Sequence, residues 1–175
     1  MSATLSPNDW AVLAKLAEGE AHGFSLAACF AKHGELGFLW RVQRPQVYRA
    51  LVRLERLDFI LCLRQEEGGA GPPRLVYGIS EVGRHALEAW LYEAVGHVRD
   101  GRSELLLKLC FLERLHLPTH PLLEAQQRSF LSLKASIERQ SQNASVNVSV
   151  LLWRKHMVCA ALAFVEECLD AKDLP

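Results

Sequence analysis

Pro45-Gln46-Val47-Tyr48-Arg49-Ala50-Leu51-Val52-Arg53-Leu54-Glu55-Arg56-Leu57 carries two chemistries on one period. At about 100° per residue, Val47, Ala50, Leu51, Leu54 and Leu57 fall on one side, while Arg49, Arg53 and Arg56 cluster on the other. The stretch therefore predicts a helix that buries an apolar stripe and turns guanidinium groups to solvent. Arg41 and Arg44 precede it, and the only acidic residue between positions 41 and 56 is Glu55. Such a cluster is commonly just a solvated face, so its meaning depends on its surroundings.

Upstream, Ser6-Pro7-Asn8-Asp9 supplies a cap and an early proline before Trp10, Val12, Leu13 and Leu16, which predicts a first helix ending near Gly19. After a turn through Glu20-Ala21-His22-Gly23, the spacing of Phe24, Leu26, Ala27, Ala28 and Phe30 predicts a second helix, stopped at His33-Gly34. Phe38-Leu39-Trp40 reads as a brief strand. Downstream, Phe59 to Arg64 and Leu75 to Ile79 read as the two strands of a hairpin, joined by a loop rich in glycine and proline from Glu66 to Pro73. Ser80, Glu81 and Gly83 open a fourth helix carrying Val82, Ala86, Leu87, Trp90 and Leu91.

Gly96 and Arg99-Asp100-Gly101 mark a joint. Beyond it, Leu105 to Leu115, Pro121 to about Gln142 and about Val148 to Leu169 keep a helical period, with Pro118 and Pro121 separating the first from the second. The expected architecture is mainly α: an N-terminal winged helix-turn-helix of three helices plus a hairpin wing over residues 1–96, and a C-terminal helical dimerisation arm over 97–175. The last helix presents Leu151, Leu152, Val158, Ala161, Leu162, Val165 and Leu169, more apolar surface than one short arm covers, so a homodimer is expected.

The bulk properties bound what such a molecule does. Half of the 175 residues are hydrophobic and 23% are charged, as in an ordinary folded chain. Twenty basic residues balance 20 acidic ones, so any attraction to a polyanion must be local. The five cysteines are odd in number and scattered through apolar stretches, which fits reduced thiols in a cytoplasmic protein. The N-terminus lacks the pattern of an export signal, and no uncharged apolar run approaches about 18 residues, so no membrane partner is expected. Asn143-Ala-Ser145 and Asn147-Val-Ser149 are then chance matches to a glycosylation triplet.

No catalytic constellation is found. The glycine run lacks a Gly-Lys-Ser/Thr ending, no cysteine pair has two-residue spacing, and His116-Leu-Pro-Thr-His120 straddles a proline. Neither a metal nor a cofactor is expected. His22 reads as a turn residue, and His85 and His156 as ordinary helix positions.

Leu16-Ala17-Glu18-Gly19-Glu20-Ala21-His22-Gly23-Phe24, Val47-Tyr48-Arg49-Ala50-Leu51 with Leu54-Glu55, and Gly71-Pro72-Pro73-Arg74 through Val76-Tyr77 to Ser80-Glu81-Val82-Gly83-Arg84 together resemble the PadR family of bacterial transcriptional regulators. Glu104-Leu105-Leu106-Leu107-Lys108-Leu109 resembles the start of the longer C-terminal domain in one branch of it. The resemblance implies a homodimeric repressor that sets one basic helix per subunit in the major groove. This sequence departs from the pattern in four places: Gln43 where relatives often have serine, Arg49 for proline, Leu75 for a basic residue and Asp58 for glycine. Losing the serine removes a favoured cap, Leu75 lowers the wing's charge, and Asp58 is tolerable only at a left-handed helix stop.

On this reading Gln46, Arg49 and Arg53 contact bases, since arginine pairs with guanine and glutamine with adenine through two parallel bonds. Arg41, Arg44 and Arg56 suit phosphates. Tyr48 packs its ring or reaches a phosphate, and Arg74 with Gly68-Gly69-Ala70-Gly71 lets the wing touch the adjacent backbone. Two other classes remain open. One is a winged helix whose arginine face docks an acidic protein. The other is a small-molecule sensor with a pocket at the dimer joint lined by Trp90, Trp153 or Phe164, residues of a type that more often serves as core.

Overall fold

The computed structural model describes residues 5–67, 73–141 and 147–171. The chain divides into two compact units, at Leu91 and Tyr92.

In the first unit, α1 (Pro7–Ala17) opens on a reciprocal cap: the Ser6 hydroxyl oxygen accepts from the Asp9 backbone N–H at 3.3 Å, and the Asp9 carboxylate accepts from the Ser6 N–H at 2.8 Å. Ala11, Val12, Leu13 and Leu16 are buried along its inner face. Next comes β1 (Ala21–His22), and then α2 (Gly23–Cys29), whose first turn is capped by His22 Nδ1 accepting from the Ser25 N–H at 3.1 Å. His22 is thus a strand residue and a helix cap rather than a simple turn residue.

The brief strand expected at Phe38-Leu39-Trp40 does not form. Backbone groups there bond locally, with the N–H of Trp40 donating to the Leu36 carbonyl at 2.8 Å and that of Leu39 to the same oxygen at 3.1 Å. The turns pack too closely for a pleated ladder: a Cβ on Gly37 would lie 1.8 Å from the Ala31 carbonyl oxygen. Leu36 is buried instead, and Phe38 is left 86% exposed. The third strand of the sheet is β1, which the sequence hid inside a turn.

The basic helix α3 (Arg44–Arg56) buries Val47, Ala50, Leu51 and Leu54, as its stripe predicts. It ends with Asp58 at φ 57°, the left-handed stop that a non-glycine residue there requires. Strands β2 (Ile60–Glu66) and β3 (Arg74–Ile79) form the antiparallel wing, from Ile60 opposite Ile79 to Glu66 opposite Arg74, with a register shift between Cys62 and Arg64. The sheet order is β1-β3-β2, β1 joining antiparallel through Ala21 opposite Tyr77 and His22 opposite Val76.

In α4 (Glu81–Tyr92), Leu87, Trp90 and Leu91 are buried. Ser80 ties its start to the end of α3: the hydroxyl accepts from the Gly83 N–H at 3.0 Å and donates to the Asp58 carbonyl at 2.6 Å. Trp90 stacks on Trp10 with ring centroids 5.1 Å apart and planes 9° from parallel.

The second unit begins at Tyr92, and the joint expected at Arg99-Asp100-Gly101 lies within it. The backbone is helical there: α5 (Val98–Asp100) runs into a π-helical turn (Gly101–Leu105) and on into α6 (Leu106–Arg114). Gly101 lies beside the Phe130 ring, where a Cβ would stand at an ordinary contact distance of 3.5 Å. Helix α7 (His120–Ser141) packs along α8 (Val148–Asp170), burying Phe130 and Ile137 against Val158, Leu162 and Val165.

Two buried polar groups fix the unit's start. The Gln126 amide clasps the backbone of Val95, accepting from its N–H at 2.8 Å and donating to its carbonyl at 3.1 Å. Lys108 donates to the Glu93 carbonyl at 2.6 Å and pairs with Glu104 at 3.2 Å; its burial lowers its pKa from the ordinary lysine value, against the pull of Glu104.

By length and composition α8 alone among the described residues is apolar enough to cross a bilayer, with a mean hydropathy of 1.5, although Arg154 and Lys155 interrupt it. Only 22% of that apolar window is buried, and Val148, Val150, Leu152 and Trp153 are exposed.

Candidate nucleic-acid interface

The outer face of α3 is where the sequence places its cations. Arg41, Arg44, Arg49 and Arg56 are exposed, and none of them forms an ion pair among the described residues. This is unusual in a chain whose charges balance, because neighbouring arginines are neutralised. On the wing, Arg64 is paired with both Glu20 and Glu66. On α3 itself Arg53 is paired with Asp9 at 3.1 Å, leaving it half exposed.

The helix start is built around an aromatic bed. The Arg44 guanidinium lies 5.5 Å from the Phe24 ring centroid and 5.7 Å from that of Tyr48, so its charge is held at the surface by two π faces without a carboxylate to cancel it. Tyr48 lies flat because Gly23 has no side chain: a Cβ there would meet Tyr48 Cε1 at 2.8 Å. The ring therefore packs at the start of α2 while remaining 40% exposed.

Gln46 is partly committed to the fold. Its Oε1 accepts from the Gln43 N–H at 3.1 Å, the reciprocal half of a capping box, and its amide N–H groups remain as the donors for a base.

Tyr48, Arg49, Val52, Arg53 and Arg56 together line a shallow concavity along the helix. Val52, 59% exposed, is the member that reasoning from sequence passed over. Its signal was present, since Val52 stands outside the stripe of Val47, Ala50, Leu51 and Leu54, and an exposed methyl pair between arginines suits the thymine methyl group. Phe24, exposed beneath Arg44, was likewise read only as a helix-forming residue.

On the wing, Arg74 is exposed at the first position of β3 and forms no ion pair among the described residues. The Gly68-Gly69-Ala70-Gly71 tip lies outside the described residues. Leu61, Leu63 and Leu75 are exposed on the wing beside Arg64, Gln65, Glu66 and Arg74.

The three aromatic residues expected to line an effector pocket do not share a setting. Trp90 is only 5% exposed and belongs to the stack with Trp10 in the first unit, which leaves it no open face for a ligand. In the second unit, Trp153 lines a cleft with Arg99, Arg102, Arg154 and Met157, while Phe164 lines an apolar cleft with Leu105, Phe130 and Ala161.

The sequence profile of the transcriptional regulator PadR-like family matches residues 12–89, from α1 to α4. "Probable transcriptional regulator Rv1176c" of Mycobacterium tuberculosis is 31% identical over 96 residues, which cover 55% of this chain and 49% of that one, so the chain spans about half the length of the curated relative it matches. Among solved structures, Bacillus subtilis PadR in complex with operator DNA is 21% identical, with a TM-score of 0.48 over 92% of this chain and 97% of the other. The same protein in complex with p-coumaric acid is 20% identical, with a TM-score of 0.45 over 94% and 97%. Over residues 12–89, a little under half of its length, the chain is similar to the transcriptional regulator PadR-like family.

Proposed function

We propose that this chain is a cytoplasmic repressor that binds duplex DNA as a homodimer, with α3 of each copy in the major groove. The observation that carries the reading is the outer face of α3 with the residue leading into it, where Arg41, Arg44, Arg49 and Arg56 stay exposed and, among the described residues, without carboxylate partners. A helix entering the groove reads bases with its central outward residues and holds phosphates with those at its borders. Arg49, Arg53 and Gln46 fill the first role, with Val52 between them, and Arg41, Arg44 and Arg56 fill the second. Tyr48 and Arg74 serve the flanking backbone. The exposed apolar residues of α8, Val148, Val150, Leu152 and Trp153, support dimerisation through the second unit. Its arginine-rimmed cleft beside Trp153 supports control by a small molecule.

Selection from random duplexes tests this directly. The enriched sites are expected to be two-fold symmetric, with half-sites about 10 base pairs apart or a multiple of that, each bound by two copies of the chain. Enrichment of single, unpaired half-sites by a monomer contradicts it.

A second reading has its own support. The wing, with Leu61, Leu63 and Leu75 exposed and Arg64 neutralised, suits a protein partner more than a phosphate backbone. Salt dependence separates the two readings, because only DNA releases condensed counterions in proportion to the phosphates contacted.

A further inference from the structure

We propose that Asp9 is a positioning residue for DNA specificity: from a nearly buried site at the start of α1 it holds the Arg53 guanidinium in a fixed orientation for base reading. The inference rests on the DNA-binding role of α3 proposed above and adds a residue from outside that helix.

One oxygen of Asp9 carries the arrangement. Oδ2 accepts from the Ser6 N–H at 2.8 Å, from the Ser6 hydroxyl at 2.7 Å and from Arg53 Nη1 at 3.1 Å. The Asp9 side chain is 5% exposed, whereas that of Arg53 is 51% exposed. The pair thus has a fixed end and an open end. The capping hydrogen bonds hold the oxygen in place, and the oxygen in turn holds one nitrogen of the guanidinium. Because the guanidinium is planar and rigid, anchoring one nitrogen restricts the plane in which its remaining donors lie.

An arginine that must find its bidentate geometry on the DNA loses rotamer freedom at that moment; one already held loses less. Asp9 also sets a negative charge behind the reading face. That charge disfavours phosphate approach wherever Arg53 is not occupied by a matching base. Both effects raise the ratio of specific to non-specific affinity. A purely structural ion pair would alter stability and leave that ratio alone.

Asp9→Asn is the variant to make: the amide oxygen still accepts from Ser6 and keeps α1 capped, while loss of the charge weakens the same oxygen's hold on the Arg53 guanidinium. In the full chain, affinities for a duplex enriched by selection and for a scrambled duplex are compared at one salt concentration. The variant is expected to lose about tenfold in preference at a single base pair of each half-site, with the other positions unchanged. Affinity for the scrambled duplex is expected to rise about two- to threefold through loss of the negative charge. With Arg53 already replaced by alanine, Asp9→Asn is expected to change the preference no further.

An arm without DNA reads the geometry alone. In the free protein, 15N NMR is expected to show slower guanidinium rotation at Arg53 than at Arg49, and Asp9→Asn is expected to remove the difference. The positioning role is overturned if the variant weakens both duplexes by the same factor, or if Arg53 rotates as freely as Arg49 in the unaltered protein. A wild-type chain that prefers no duplex sequence overturns the role in specificity together with the reading it rests on, and the NMR arm then shows whether the buttress itself exists.

Discussion

Replacing Arg49 and Arg53 together by alanine is expected to weaken binding to a selected duplex by about a hundredfold or more, while the folded protein keeps its elution volume. The magnitude follows from two base contacts, each giving about 1–3 kcal/mol of discrimination. Selectivity for function over fold follows from where the side chains sit. Arg49 is exposed and makes no ion pair among the described residues, so its truncation removes nothing that supports the helix. Arg53 gives up an ion pair whose other end, Asp9, is nearly buried, so a modestly lower melting temperature is expected, while Asp9 keeps the donors of Ser6 and the fold is retained. Thermal melting and gel filtration check the fold, and a gel shift over a concentration series checks the affinity. A double variant that shifts DNA like the parent removes α3 as the reading element.

The second large effect falls on stability. Gly83→Ala is expected to destabilise the first unit by more than about 3 kcal/mol, measured by urea unfolding. The sign is the informative part, since glycine to alanine inside a helix ordinarily stabilises by up to about 1 kcal/mol. Here the added Cβ would stand 2.1 Å from the carbonyl oxygen of Phe59 and 2.9 Å from its carbon, both backbone atoms. They cannot rotate away as a side chain would. That carbonyl is itself fixed, accepting the Ser80 N–H at 2.9 Å, while Ser80 bonds Asp58 and Gly83 in turn. Relief therefore means separating the start of α4 from the turn that leads into the wing. A stabilised Gly83→Ala variant would show that this approach is not as close as described.

The contrast between these two positions shows what the sequence made legible. The faces of α3 were readable because charge and apolarity sort on one helical period, and Val47, Ala50, Leu51 and Leu54 are buried accordingly. The stop at Asp58 was readable because the family this sequence resembles often has glycine there, the residue that favours a left-handed helix end, and Asp58 adopts that conformation at φ 57°. Local chemistry misled at Phe38-Leu39-Trp40, where an apolar run suggested a strand. The deciding contact is backbone against backbone between Gly37 and Ala31, which no pattern of side chains reports. The two-residue β1 was invisible for a related reason: its pairing with β3 joins Ala21 to Tyr77, and two residues carry no period.

Within the candidate site, the same division holds. The five arginines of the α3 region were evident as a charge run, and their different roles were not. Asp9 reaches Arg53 across 44 positions, and Gln46 turns back to cap its own helix, so each is a product of the folded geometry. Trp90 was grouped with Trp153 and Phe164 by residue type alone. Its stacking on Trp10 shows it to be core, whereas the other two line clefts.

The most direct test of the arginine face is the salt dependence of DNA affinity. Contacts from two copies of α3 and their flanks, neutralising about six to eight phosphates, predict that log K falls with log salt at a slope near −5 to −7, at about −0.9 per phosphate. A slope shallower than about −2 for a duplex that is still bound would mean that these guanidinium groups do not meet the phosphate backbone, and the account of the α3 face would be wrong.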